Sequence, residues 1–119
     1  MSTDEFWRET FGDVEYAYDF AGFRIKRSEY NNRNSIYGWN IDHLIPLSRN
    51  GLNSKCNKAI ASIITNDQKA NKTSFAIEFD DAKEHYQIQK IANNPVRGTK
   101  IVLLDSDYPY DVVWITKTG

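Results

Sequence analysis

The stretch Trp39-Asn40-Ile41-Asp42-His43-Leu44 alternates apolar and polar side chains until Pro46, which lacks a backbone donor and so ends any ladder. It reads as a β-strand with one face turned to a core, and its end presents Asp42 and His43. Ser48–Asn57 follows with no periodicity and with Gly51 among several Asn and Ser, the composition of a long surface loop. Ala59–Ile64 is apolar again and reads as a second strand. Thr65 with Gln68 three residues on, and Asp67 in the first turn, predicts a helix over Thr65–Lys72. Strand, long loop, strand and helix therefore form the expected centre, over about residues 37–74.

The flanks carry weaker signals. Ser2 and Glu5 make a capping box, and Phe6, Trp7 and Phe11 supply an apolar stripe for a helix over Thr3–Phe11 that ends at Gly12. Val14–Tyr18 and Phe23–Lys26 read as strands around the turn Asp19-Phe20-Ala21-Gly22, and Ser28–Ser35 as a polar loop with room for one helical turn. Phe75, Ile77 and Phe79, then Tyr86, Ile88 and Lys90, alternate on either side of Asp80-Asp81. A hairpin is expected there, with a helix over Ala82–Ile91 as the competing reading. Asn93-Asn94-Pro95 breaks the chain, and Ile101–Leu104 and Val112–Thr116 read as two further strands around Asp107-Tyr108-Pro109-Tyr110. The 119 residues suit one α+β domain with a C-terminal β extension over about residues 75–119.

Cys56 is the only cysteine, which excludes an internal disulfide and any Cys-x-x-Cys zinc knuckle. No apolar run approaches a membrane span, and three acids among the first nine residues fit neither a signal peptide nor an anchor; a cytoplasmic location is expected. The net charge of −1 hides a division along the chain. Arg24 to Lys72 holds nine bases against three acids, a local balance of +6, while the flanks hold six bases and 13 acids, a balance of −7. The centre can therefore hold phosphates although the whole chain is slightly acidic.

Within that centre His43 precedes Asn57 by 14 residues, Asn57 precedes Asn66 by nine, and Lys69 follows Asn66 by three. With the run from Tyr37 to Gly51, Tyr-Gly-Trp-x-Ile-Asp-His-x-x-Pro-x-Ser-x-x-Gly, the chain resembles the HNH endonucleases. Asp19-Phe20-Ala21-Gly22, Ile25, Tyr30, Asn34-Ser35 and Thr65-Asn66-Asp67-Gln68-Lys69-Ala70 extend the resemblance over roughly Phe6 to Phe79. It implies a ββα-metal core, a β-hairpin and a helix wrapped around one metal ion, and a DNA substrate. The sequence departs from the pattern in three places: Arg49-Asn50-Gly51 stands where Gly-Gly is usual, Lys58 where an apolar residue follows the Asn, and Ser62 where the closest pattern has a histidine.

The chemistry asks for these residue types. Hydrolysis of a phosphodiester needs an activated water, shielding of phosphate charge and stabilisation of the leaving oxygen. His43 suits the general base, because a neutral imidazole titrates near working pH, and Asn57 is expected to orient its ring. Asp42 and Asn66 would hold a divalent ion, and oxygen-only ligation favours Mg²⁺ or Mn²⁺ over Zn²⁺. Lys69, Arg49 and Lys72 are candidates for the substrate phosphates. Singly each residue is ordinary: a strand-end histidine, a loop asparagine, an asparagine in a helical first turn, an exposed helix lysine. Tyr16, Tyr18, Tyr30, Tyr37 and Trp39 could stack on bases, though aromatics at strand spacing more often form core. Two rivals share the fold: a non-catalytic DNA-binding module, and a nuclease toxin domain with an immunity protein as partner. A monomer should nick, and a homodimer could cut both strands.

Overall fold

The Ser2 hydroxyl accepts from the Glu5 amide (3.1 Å) and starts α1 (Thr3–Phe11), whose first turn places Asp4 and Glu5 at the positive end of the helix dipole. Gly12 stops it at φ 86°, with its N–H returned to the Arg8 carbonyl at 2.8 Å. The computed structural model describes residues 1–92 and 97–116, so the expected break at Asn93-Asn94-Pro95 lies outside the described residues. After α1 come the antiparallel strands β1 (Tyr16–Tyr18) and β2 (Arg24–Lys26), shorter than their apolar patterns, and one 3₁₀ turn at Arg27–Glu29.

The central hairpin is β3 (Trp39–His43) and β4 (Lys58–Ser62), paired antiparallel with Trp39 opposite Ser62, Asp42 opposite Ala59 and His43 opposite Lys58. Alternation sends Trp39 and Ile41 toward α1, where they pack with Phe6, Trp7, Ile25 and Ile60. Trp7 and Trp39 meet at 5.0 Å between ring centroids, and each indole N–H has a backbone acceptor, Val14 O and Lys26 O. A five-residue hairpin is marginal alone. Burial of roughly 150–250 Å² per indole, at about 25 cal/mol/Å², is what holds it.

The opposite face of the hairpin carries Asn40 and Asp42 from β3 with Ala61 and Ala59 beside them, small residues that leave room for a helix. That helix, α2, runs Ile63–Lys69, two residues earlier than the spacing predicts, and β4 stops at Ser62 rather than continuing to Ile64. The shift has a buried cause. Ser62 is the cap, its hydroxyl accepting from the Ile64 amide at 3.1 Å, while the Asp19 carboxylate takes the Ser62 amide (2.9 Å) and the Thr65 hydroxyl (2.6 Å). Thr65 is thus occupied from 46 residues away and does not cap. The helix ends at Lys69, with Ala70 at φ 53° and its N–H on Asn66 O, so Lys72 lies beyond it.

β5 (Ser74–Phe79), β6 (Ala82–Ala92), β7 (Arg97–Leu103) and β8 (Asp111–Ile115) form one antiparallel sheet in that order. The hairpin reading of residues 74–92 therefore holds over the helical one. Asp80 and Asp81 both take positive φ, 49° and 65°, the backbone that a two-residue hairpin loop requires. Phe75, Ile77, Tyr86, Ile88 and Ile101 cover Leu44 and Ala59 at the base of the central hairpin. Thr99 and Thr116 also donate their hydroxyls to the Cys56 carbonyl, each at 2.7 Å, which ties the sheet to the end of the long loop.

Candidate active site

Asp42 and Asn40, two apart on β3, face α2, and so do Asn66 and Lys69, three apart on the helix. The Asn66 amide donates to Asn40 Oδ1, and Lys69 Nζ lies 3.0 Å from Asp42 Oδ2. Lys69 is 1% exposed and the Asp42 side chain 25%. Two oxygens in this group are buried without a hydrogen-bond donor: Asp42 Oδ2, which has the lysine's charge but no well-directed hydrogen bond, and Asn66 Oδ1. Burial pushes the Asp42 carboxyl above its ordinary range, against the lowering effect of Lys69 and of charge on His43.

His43 leaves β3 on the other side and meets the loop. Its Nε2 is 2.8 Å from Asn53 Oδ1. With the amide oxygen facing the ring, Nε2 carries the proton and Nδ1 keeps its lone pair. Asn57, expected to perform this orientation, does something else. Its Oδ1 accepts from the Ile45 amide and its Nδ2 donates to Ile45 O and Leu52 O, all at 2.9 Å, so it braces the two ends of the loop and is 2% exposed.

The same loop explains one departure from the sequence pattern. Asn50 takes the left-handed conformation (φ 65°, ψ 25°) that the usual glycine would adopt, which asparagine tolerates. Gly51 then passes so close to Ile45 that a Cβ would lie 1.8 Å from its carbonyl oxygen. Ser62, at the histidine position of the pattern, is the buried cap of α2 and is bonded to Asp19, not to the Asp42 cluster.

Lys69, a candidate for the phosphates, is buried against Asp42 and cannot reach substrate from there. Arg49 and Lys72 are exposed, as phosphate contacts must be. Three residues of the site escaped the sequence reading. Asn40 had a readable signal, two positions before Asp42 on the same strand face. Asn53 had none, being one of several polar residues in an aperiodic loop. Asp19 had half of one: its turn was evident, but not its four bonds, from Ala21 N, Phe23 N, Ser62 N and the Thr65 hydroxyl. Burial raises the Asp19 carboxyl, while those four donors favour its charged form.

A strand–loop–strand hairpin backed by a helix, with an aspartate and a histidine at the end of the first strand, is the ββα arrangement expected of a phosphodiester-cutting centre. Residues 20–75, which contain the whole hairpin and α2, match the family described as HNH endonuclease. The enzyme class is accordingly a nuclease that hydrolyses phosphodiester bonds, in a family that generally uses a divalent metal ion and acts on DNA. No curated protein and no solved structure matches the chain.

The residues present fit a hard cation. Among the described residues Asn66 Oδ1 is buried without a donor and Asp42 Oδ2 is buried with only the Lys69 ammonium beside it, and carboxylate and amide oxygens are what such ions take. Among the described residues there is no group of three or more His, Cys, Asp or Glu that could hold a metal, so the protein offers one formal charge here, and amide oxygen must supply the rest.

Proposed function

We propose that the domain hydrolyses DNA phosphodiester bonds one strand at a time, with His43 as general base and Asp42 and Asn66 as the protein ligands of a single Mg²⁺ or Mn²⁺. The observation that carries this reading is the pair of buried oxygens on β3 and α2, Asp42 Oδ2 met only by the Lys69 ammonium and Asn66 Oδ1 without a donor, next in the chain to a histidine whose Nδ1 has no partner among the described residues. The ion, when bound, supplies positive charge for the scissile phosphate and its leaving oxygen. His43 takes the proton of the attacking water on Nδ1, and Asn53 holds the ring while it does so. Asn40 fixes the Asn66 amide by accepting its N–H, which aims Oδ1 away from that bond. Arg49 and Lys72 remain exposed for neighbouring phosphates.

Incubation with supercoiled plasmid tests the reading. Open circles should accumulate before linear DNA in Mg²⁺ or Mn²⁺, and none should form in EDTA. Tight DNA binding with no turnover in either metal would overturn it in favour of a non-catalytic module.

Metal binding should also depend on pH with a definite sign. A raised Asp42 pKa means that the folded, metal-free protein holds this proton more firmly than the unfolded chain does. That contribution to stability is present at low pH and is lost as pH rises through the folded value. Cation binding takes the ionised form, so it works in the opposite direction. The rise in Tm on adding Mn²⁺ should therefore shrink as pH falls, starting above the range of an exposed aspartate. Thermal melts with and without metal across acidic pH measure it; a metal shift that is flat across that range contradicts Asp42 as the ligand.

A further inference from the structure

The outer face of the β1–β2 hairpin takes no part in the site, yet its four outward positions share one chemistry. Cross-strand register places Tyr16 opposite Lys26 and Tyr18 opposite Arg24, while the alternate pair Ala17 and Ile25 points inward and Ile25 is fully buried. Tyr16 is 39% and Tyr18 62% exposed. The Arg24 guanidinium lies 4.1 Å from the centre of the Tyr16 ring and Lys26 Nζ 5.6 Å from it. Neither cation belongs to an ion pair among the described residues, whereas the neighbouring Arg27 is held by Asp4 and Asp13. The Tyr18 ring has no aromatic or cationic partner among the described residues.

The face is also held rigid. Asp19 clamps the turn through the Ala21 and Phe23 amides, and Arg27 fastens the end of β2 to α1 with two bonds to Asp4, at 2.7 and 2.9 Å. Its two cations complement a polyanion, and the exposed Tyr18 ring complements the face of an unpaired base, which a duplex hides in its stack; the Tyr16 ring is already met by both cations and, edge-on, by Tyr37. We propose that Tyr16, Tyr18, Arg24 and Lys26 form a platform for single-stranded DNA: Tyr18 stacks on a base, Tyr16 holds the two cations beside it, and those cations track the backbone. The proposal rests on the reading of the substrate as DNA, and it adds a binding surface made of none of the residues that carry out cleavage. It implies that the enzyme grips DNA where strands are open, with little regard for sequence.

Fluorescence anisotropy with fluorescein-labelled oligothymidine, in EDTA, tests it without cleavage. Tyr18→Ala should weaken binding about tenfold, the loss of one stacked base. Arg24→Gln with Lys26→Gln should flatten the slope of log affinity against log salt by about 1.4, at about 0.7 per phosphate contact on a single strand. Tyr18→Ala should leave binding to a matched duplex and the thermal melt unchanged, since this ring is 62% exposed and has no aromatic or cationic partner among the described residues. Wild-type binding by Tyr18→Ala overturns the proposal, as does equal loss on duplex, or a wild-type protein that ignores the oligonucleotide. A protein that binds through these residues but never nicks plasmid would retire the nuclease reading and keep the platform. One that nicks plasmid while Tyr18→Ala binds normally would do the reverse.

Discussion

His43→Ala is expected to cut plasmid DNA about 10²–10⁴-fold more slowly than the wild type, the range that a positioned general base contributes. Its fold should be unaffected, because the imidazole is half-buried and has one polar partner among the described residues, the exposed Asn53. Oligonucleotide affinity in EDTA should also stay within error. The two asparagines of the loop then separate by what they change. Asn53→Ala frees the ring and should lower the rate less than loss of the base does. Asn57→Ala removes three hydrogen bonds that close the loop, so it should cost about 1–3 kcal/mol of stability and act on rate only through that loss. Time courses in Mn²⁺ combined with urea unfolding decide the matter. A His43→Ala protein that cuts at the wild-type rate removes histidine from the chemistry, and an Asn57→Ala protein as stable as wild type removes the bracing role.

The difference between Asn53 and Asn57 shows what kind of information a sequence holds. The β3 alternation, the Ser2 cap of α1 and the Asp80-Asp81 turn are local, and each was readable because the residues that decide it are neighbours. The start of α2 was not, because Asp19 decides it from across the chain by claiming Thr65. Buried charge follows the same rule. The +6 centre suggests a broad phosphate-binding surface, but Arg27 is neutralised by Asp4 and Asp13 from the acidic flank, Arg33 by Asp67, and Lys69 by Asp42. Counting charges along the chain cannot show which are spent on each other. What survives on the surface, Arg24 and Lys26 beside two tyrosines among it, is smaller and more specific than the count implied.

Asp42 and Lys69 should behave as a pair whose two single removals are unequal. Taking one partner from a buried ion pair strands the other, at about 3–5 kcal/mol when the stranded charge has no water. Asp42→Asn strands Lys69, which is 1% exposed, and belongs at the upper end of that range. Lys69→Met strands Asp42, whose side chain keeps 25% of its surface in solvent and can take up a proton, so the loss should be nearer the lower end. For a domain with about 5–15 kcal/mol in total, either is a large fraction. Removing both, Asp42→Asn with Lys69→Met, leaves no stranded charge and should recover most of the loss, because a buried pair is worth little more than an apolar replacement of similar volume. Urea unfolding in EDTA measures this cycle. Additive losses would mean that the 3.0 Å approach is not a coupled pair in solution. Metal separates the two singles further. In Lys69→Met the carboxylate is intact and freed of its lysine, so Mn²⁺ should restore stability by replacing one positive charge with another, whereas Asp42→Asn has lost the only formal charge of the ligand set and should gain nothing. The lysine would then be the cation that balances Asp42 until the metal arrives, which accounts for a fully buried ammonium in a place where the sequence alone suggested a phosphate contact.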